Sequence, residues 1–485
     1  MTEVPLPELQ QACANTLLWA PWAWVGGRWR EAVLLEISSQ GHWKDIRAGA
    51  VAPPQAQVLA GPVLPGMVNA HSHAFQRAFA GLAERRASAS SGASSSTRDD
   101  FWSWRTQMYG LAQRITPAEM RQIATGLYKE LLHGGYTHVC EFHYLHHAPN
   151  GQPYADEDGG PLALSAALVQ AAQDSGVGLT MLPVLYERAG FAQPLLREDQ
   201  RRFRTDASQV LALRDGVRAM ARNRHGRCGS TLPQAPLNAG VAIHSLRAAR
   251  PEAINELVRC VQDDAGPLHI HIAEQVDEVN DCLAHTGQRP IEWLCNGLGQ
   301  GFKPDRRWQL VHATHATAQE IDAVARSGAG LVLCPSTEAN LGDGLTDLPR
   351  WLSAGVPMAI GSDSHVTRDW REELRWAEYG QRLLHRQRNV LAALAPTAGP
   401  LAIDSDAESA TATCLFEQAL VSGGYAAGQA LWGLQVGARA DLLVIDASDT
   451  ALRGIPPHHL LDALVFSSPV LPFATIMVNG RWVSH

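Results

Sequence analysis

The sequence predicts an α/β protein: a (β/α)8 barrel of the TIM type, with a small β-domain assembled from the two chain ends. Three observations carry this. Strand-like apolar runs alternate with helical patterns through the middle of the chain, and both ends read as short strands joined by tight turns. The third is size: 485 residues, 46% hydrophobic and 18% charged, can bury a large core and are too apolar for a disordered chain.

Taken in order, Trp19 to Val25, Gly26-Gly27 and Arg28 onward predict a hairpin, and Ala32 to Ile37 a further strand. The barrel strands are expected at Gly61–Val68, Thr137–Phe142, Gly178–Leu185, Ala239–His244, Leu268–Ala273, Gln309–Ala313, Gly330–Cys334 and Val356–Gly361. Helical patterns intervene at Pro117–His133, Leu162–Asp174, Ser208–Ala221, Pro251–Asp264 and Ala318–Ser327. The first opens with Thr116-Pro117-Ala118-Glu119, a capping box with proline at the first helical position. Eight strands alternating with helices fit a closed barrel better than an open doubly wound sheet, which stays as the alternative because a strand count is easily off by one. At the far end, Asp441 to Ile445 is a strand, and Thr475 to Val478, Asn479-Gly480, Arg481 to Val483 is a hairpin with a type I′ signal. The domains expected are thus 1–61 with 431–485 for the β-domain and 62–430 for the barrel. The Ala-, Ser- and Gly-rich stretch Ala87 to Thr97 reads as a mobile surface insertion.

Charge and cysteines narrow the setting. Forty basic against 48 acidic residues, net −8, make no case for a nucleic-acid surface. Eight cysteines without a C-x-x-C pair read as reduced thiols. Neither a signal-peptide pattern nor an apolar run of about 18 residues is present, so no membrane span and a cytoplasmic location are expected.

The chemistry sits at strand ends, where barrel active sites lie. Residues i and i+2 of a strand share a face, so His71 and His73 can point together. The fifth strand ends in His269-Ile270-His271-Ile272-Ala273-Glu274, the sixth in His312, and the eighth in Gly361-Ser362-Asp363. Imidazoles and a carboxylate converging from separate strands suit Zn²⁺ with an open position for water. Spacing alone does not choose between His269 and His271.

Pro65 to His73, the His271-x-x-Glu274 pair, His312 and Ser362-Asp363 resemble the amidohydrolase superfamily, aminohydrolase branch. The run His71-Ser72-His73-Ala74-Phe75-Gln76-Arg77 through Glu84, with Glu141 to Tyr144 and His244 to Arg247, is similar to the deiminases of N-formimino-L-glutamate, a family of histidine degradation. This resemblance implies a distorted barrel, a small β-sandwich domain from both termini, and a homodimer. It also implies one zinc per chain held by His71, His73, His271 and Asp363, leaving His269 to the core. The expected substrate is a small dicarboxylate, deiminated to N-formyl-L-glutamate and ammonia. Asp363 is then placed to take a proton from the attacking water, Glu274 to carry one to the leaving nitrogen, and His312 to hydrogen-bond the intermediate. Arg105 and Arg247 match the family's carboxylate-binding positions, and guanidinium forks suit carboxylates. Tyr144 and His244 add neutral donors, and Gln76 meets the formimino end.

Competing readings are weaker. A cytidine-type deaminase needs H-x-E and P-C-x-x-C, and a zincin needs H-E-x-x-H; neither occurs. A guanine or triazine deaminase would share the metal residues but favour aromatic stacking over paired arginines. A non-catalytic barrel used for binding would not need the full set of proton-transfer residues.

Overall fold

The computed structural model describes residues 16–84, 100–225, 235–299, 303–392, 410–467, 470 and 472–483. The Ala87–Thr97 stretch lies outside them. Eight strands alternate with helices as expected: β1 (Met67–Ser72), β2 (Tyr136–His143), β3 (Gly178–Leu185), β4 (Val241–Ile243), β5 (Leu268–Ile272), β6 (Trp308–His312), β7 (Gly330–Leu333) and β8 (Met358–Ile360). They pair parallel in that order, with Leu237–Ala239 as an extra strand beside β3. Every residue of these eight strands is buried, as a parallel sheet covered by helices demands.

The barrel closes through the candidate site itself. A bridge joins Ser72 to Asp363; the Asp363 N–H donates to the His71 carbonyl at 3.0 Å, and the His73 N–H to the Asp363 carbonyl at 3.3 Å. Gly361 permits this approach. A Cβ placed there would lie 2.6 Å from the His71 Cβ and 2.7 Å from its backbone nitrogen. Gly361→Ala is therefore expected to force the seam apart and cost about 1–3 kcal/mol, read as a lowered unfolding midpoint.

The opposite end of the barrel is stopped by the helix Thr411–Ala426. Ala426 packs with Ala70, Val311, Val332, Cys334 and Ala359, and its carbonyl accepts the His269 Nε2–H at 2.9 Å. Helices Pro117–His133 and Ala318–Ser327 have the bounds read from the sequence, each with its capping box. Sequence patterns assign no element to Phe101–Ala112. It is helix α1, whose Asp100 cap accepts from the backbone N–H groups of Trp102 and Ser103.

The terminal strands form one hydrogen-bonded sheet, ordered Arg481–Val483, Phe473–Val478, Leu442–Ile445, Val63–Pro65, Thr16–Trp24, Trp29–Ile37, Trp43–Arg47, with Gln57–Val58 beside Thr16–Trp24. It has its own core of Leu18, Val33, Leu35, Trp43, Val63, Leu442, Val444 and Met477. The type I′ signal at Asn479-Gly480 holds, both residues having positive φ (52° and 74°). Two expected strands are corrected. Ala32 to Ile37 is not separate but the end of the hairpin's return strand, Trp29–Ile37. Gly61–Val68 is not one barrel strand: Val63–Pro65 pairs antiparallel with Leu442–Ile445, and the barrel strand begins at Met67. The run is continuously apolar because it is buried by two sheets in succession.

Candidate active site

Four strand ends bring six side chains together. Nε2 of His71 lies 3.1 Å from Nε2 of His73 and 3.0 Å from Nε2 of His271. Asp363 Oδ1 stands 3.6 Å from His71 Nε2 and 3.3 Å from His73 Nε2. On the other side, His312 Nε2 is 3.8 Å from Asp363 Oδ2 and 3.9 Å from Glu274 Oε1. All six residues are buried. Among the described residues, the groups that can hold a metal are His71, His73 and His271, and His71, His312 and Asp363.

The donor set fits a metal. Ligand bonds of about 2.0–2.1 Å in a tetrahedron give an N···N edge of about 3.3 Å, close to the spacings seen. Burial keeps the His71, His73 and His271 imidazoles neutral, with neighbouring imidazoles adding to it, so their lone pairs are free; His73 is driven down to about 3. His73 Nδ1–H donates to the Phe142 carbonyl at 2.8 Å, which fixes the tautomer and leaves Nε2 as the donor atom toward the centre. Burial raises the Asp363 carboxyl to about 7 against the pull of His312. Burial also opposes charge on His312, but the carboxylates of Glu274, Glu338 and Asp363 outweigh it and lift the ring to about 10.

The scaffold of this cluster includes residues to which the sequence reading gave no individual role. Asn69 Nδ2 donates to Ser362 Oγ at 2.7 Å, and the Ser362 N–H to Asn69 Oδ1 at 2.9 Å, tying β1 to the end of β8. Glu141 accepts from the Ala74 N–H (2.6 Å), Ser72 Oγ (2.8 Å) and the Tyr128 hydroxyl (3.2 Å), which pins the His71–His73 turn from below. Glu338 accepts from His312 Nδ1 at 3.3 Å and from the Cys334 N–H at 2.9 Å. Ala273, His312, Ala313, Asp363 and His365 all hold positive φ. Such backbone persists only where surrounding contacts impose it, and it clusters at functional sites.

A cavity opens above the cluster, lined by His73, Gln76, Tyr144, His244, Arg247, His271, Glu274, His312, Asp363 and, from α1, Phe101, Trp104 and Arg105. The sequence-predicted residues other than His71 therefore line one chamber, Arg105 included, although a serine-rich stretch precedes it. Gln76 Nε2 donates to the Tyr144 hydroxyl at 3.0 Å, while Gln76 Oε1 has no partner among the described residues. His244 Nδ1 lies 3.3 Å from Ser245 Oγ. The Arg247 guanidinium is buried, and its NH1 lies 3.6 Å from Glu278 Oε2 with no hydrogen-bond partner among the described residues. Arg105 Nε likewise has none among the described residues. His269 is outside the chamber, held at the barrel floor.

A parallel barrel with a buried imidazole–carboxylate centre under a cation-lined chamber defines a hydrolase of the metal-dependent class. The chain belongs to the amidohydrolase family, whose profile matches residues 63–398. A formimidoylglutamate deiminase of Pseudomonas aeruginosa is 44% identical over 455 residues, 94% of this chain and 91% of that protein. The crystal structure of an amidohydrolase from Brucella melitensis superposes with a TM-score of 0.83 and 37% identity, covering 96% of this chain and 94% of that one. An atrazine chlorohydrolase from Arthrobacter aurescens TC1, solved with zinc, shares the fold at a TM-score of 0.73 and 18% identity, over 96% of this chain and 94% of its own. No helix among the described residues is long and apolar enough to cross a membrane.

Proposed function

We propose that the protein is a zinc enzyme that hydrolyses N-formimino-L-glutamate to N-formyl-L-glutamate and ammonia. The observation that carries this reading is the placement of two arginines, Arg105 and Arg247, in the same chamber as the His71–His73–His271–Asp363 centre. The identity to the Pseudomonas deiminase over nearly the whole chain points the same way.

Zinc held by His71, His73, His271 and Asp363 would lower the pKa of a water toward about 7, giving a nucleophile at neutral pH. The substrate's reacting group is N–CH=NH₂⁺. Water adds through a new C–O bond, the C–NH₂ bond breaks, and ammonia leaves once its nitrogen is protonated. Asp363 is positioned to take the proton that water gives up. Glu274, across the chamber and 3.9 Å from His312, carries a proton to the departing nitrogen. His312 hydrogen-bonds the oxygen entering the carbon and fixes its direction. Gln76, with its free Oε1, meets the formimino N–H groups; Tyr144 and His244 line the path to the carboxylates. Arg105 and Arg247 bind those carboxylates as charge-assisted pairs.

The direct test is ammonia release by the purified protein from N-formimino-L-glutamate, set against guanine, cytosine and formamide-type compounds, with metal content measured on the same sample. Expected are one zinc per chain and turnover confined to the formimino compound. Turnover of guanine instead, or no stoichiometric divalent ion, overturns the proposal.

A further inference from the structure

Of the stretch Phe101-Trp102-Ser103-Trp104-Arg105, the mechanism above uses Arg105 alone and gives Trp102 no task. Trp102 does not line the inner chamber, yet it touches both guanidinia that do. Arg105 Cζ lies 4.4 Å from the centre of the indole ring and Arg247 Cζ 5.6 Å from it. A second, outer cavity of about 350 Å³ is lined by Trp102, Arg105, Arg247 and Arg197, with Asp281 and His285. The two arginines with Trp102 thus form the partition between outer and inner space.

Two guanidinia of like charge in a partly buried wall repel each other, and burial already works against charge on Arg105. The anionic groups nearby do little for Arg105. Glu278 faces Arg247 at 3.6 Å, Asp199 is taken by Arg197 in a bidentate pair at 2.9 and 3.0 Å, and Tyr109 offers Arg105 a further ring face at 5.5 Å. An indole face attracts cations through its quadrupole, so one ring can steady both. The ring is itself oriented: Trp102 Nε1–H donates to Asp277 Oδ2 at 3.0 Å, linking α1 to the helix Val276–Thr286, which begins two residues after Glu274.

We propose that Trp102 is a positioning residue for dicarboxylate binding: its indole, latched to Asp277, is the shared platform that holds the Arg105 and Arg247 guanidinia together and turned into the chamber. The inference rests on the proposed dicarboxylate substrate and deepens it. Trp102 touches neither the reacting atoms nor the metal centre, so its removal loosens the carboxylate clamp and leaves the chemistry alone.

The test uses the zinc-loaded full chain. Trp102→Leu is expected to raise KM for N-formimino-L-glutamate, and the inhibition constant of N-formyl-L-glutamate, by about 3–30-fold, with kcat changed less than about 3-fold. Trp102→Phe, which keeps a ring face, restores most of the loss. Hydrolysis of a neutral formamidine is unchanged in both. An unaltered KM in Trp102→Leu, or equal losses on the charged and neutral substrates, overturns the inference. Arg247→Met run in parallel separates the two levels. If that variant discriminates the substrates and Trp102→Leu does not, the platform alone is wrong. If Arg247→Met does not discriminate, the dicarboxylate reading falls and takes the platform with it.

Discussion

Glu274→Gln is expected to lower kcat by about 10²–10⁴-fold with zinc content unchanged. Glutamine keeps the shape of the side chain and its place in the chamber wall but cannot give and regain a proton. The backbone that presents it stays put, because the N–H groups of Ala273 and Glu274 are held by Glu278 at 3.2 and 3.1 Å, independently of the Glu274 carboxylate. The metal-type cluster does not include Glu274, which is why turnover and metal content should separate. Steady-state kinetics with metal analysis on one preparation checks it. A variant that turns over at the parent rate removes Glu274 from the mechanism, and one that loses zinc makes it a ligand.

The site was legible in the sequence wherever local periodicity creates it. His71 and His73 are two apart on one strand, and His271, His312 and Asp363 each stand at the end of an apolar run, so strand alternation and barrel polarity suffice to converge them. Choosing His271 over His269 needed the family resemblance, and the structure gives the physical reason: His269 is spent on the Ala426 carbonyl at the barrel floor. What could not be read are contacts across the closing seam. Asn69 and Ser362 are 293 residues apart, and nothing in either neighbourhood marks them as partners. Glu141 shares this problem, serving three donors from two segments, the end of β1 with the turn after it and the helix that carries Tyr128. Helix α1 escaped because its apolar side chains serve both as core and as chamber wall: Phe101, Trp104, Met108 and Tyr109 all line the chamber, which blurs the apolar stripe that a surface helix normally shows. The Gly61–Val68 boundary failed for a related reason, since an apolar run cannot say how many sheets bury it.

Arg247→Met is the change that separates this substrate from those of other family members. Arg247 is buried at the chamber wall, and NH1 has no hydrogen-bond partner among the described residues, so its fork is free to meet an anionic ligand. Methionine fills much of the same volume and leaves the metal centre untouched. A hydrogen bond to a charged group is worth about 1.5–3 kcal/mol, so kcat/KM for N-formimino-L-glutamate should fall by about 10–150-fold. The deletion also strips Glu278 of the cation 3.6 Å away. Burial already raises the Glu278 pKa against the pull of Arg247, so without the arginine that carboxyl takes up a proton more readily, which limits the cost of leaving it buried. Its hydrogen bonds from the Ala273 and Glu274 N–H groups need only one lone pair on each oxygen and survive protonation in part. A neutral formamidine, which has no carboxylate to lose, reports any residual disturbance of Glu274 through that route. Its rate should change by less than about 3-fold. Equal declines on both substrates would mean that Arg247 acts by holding Glu278 and Glu274 in place and is not the carboxylate clamp, and the dicarboxylate reading would fall with it.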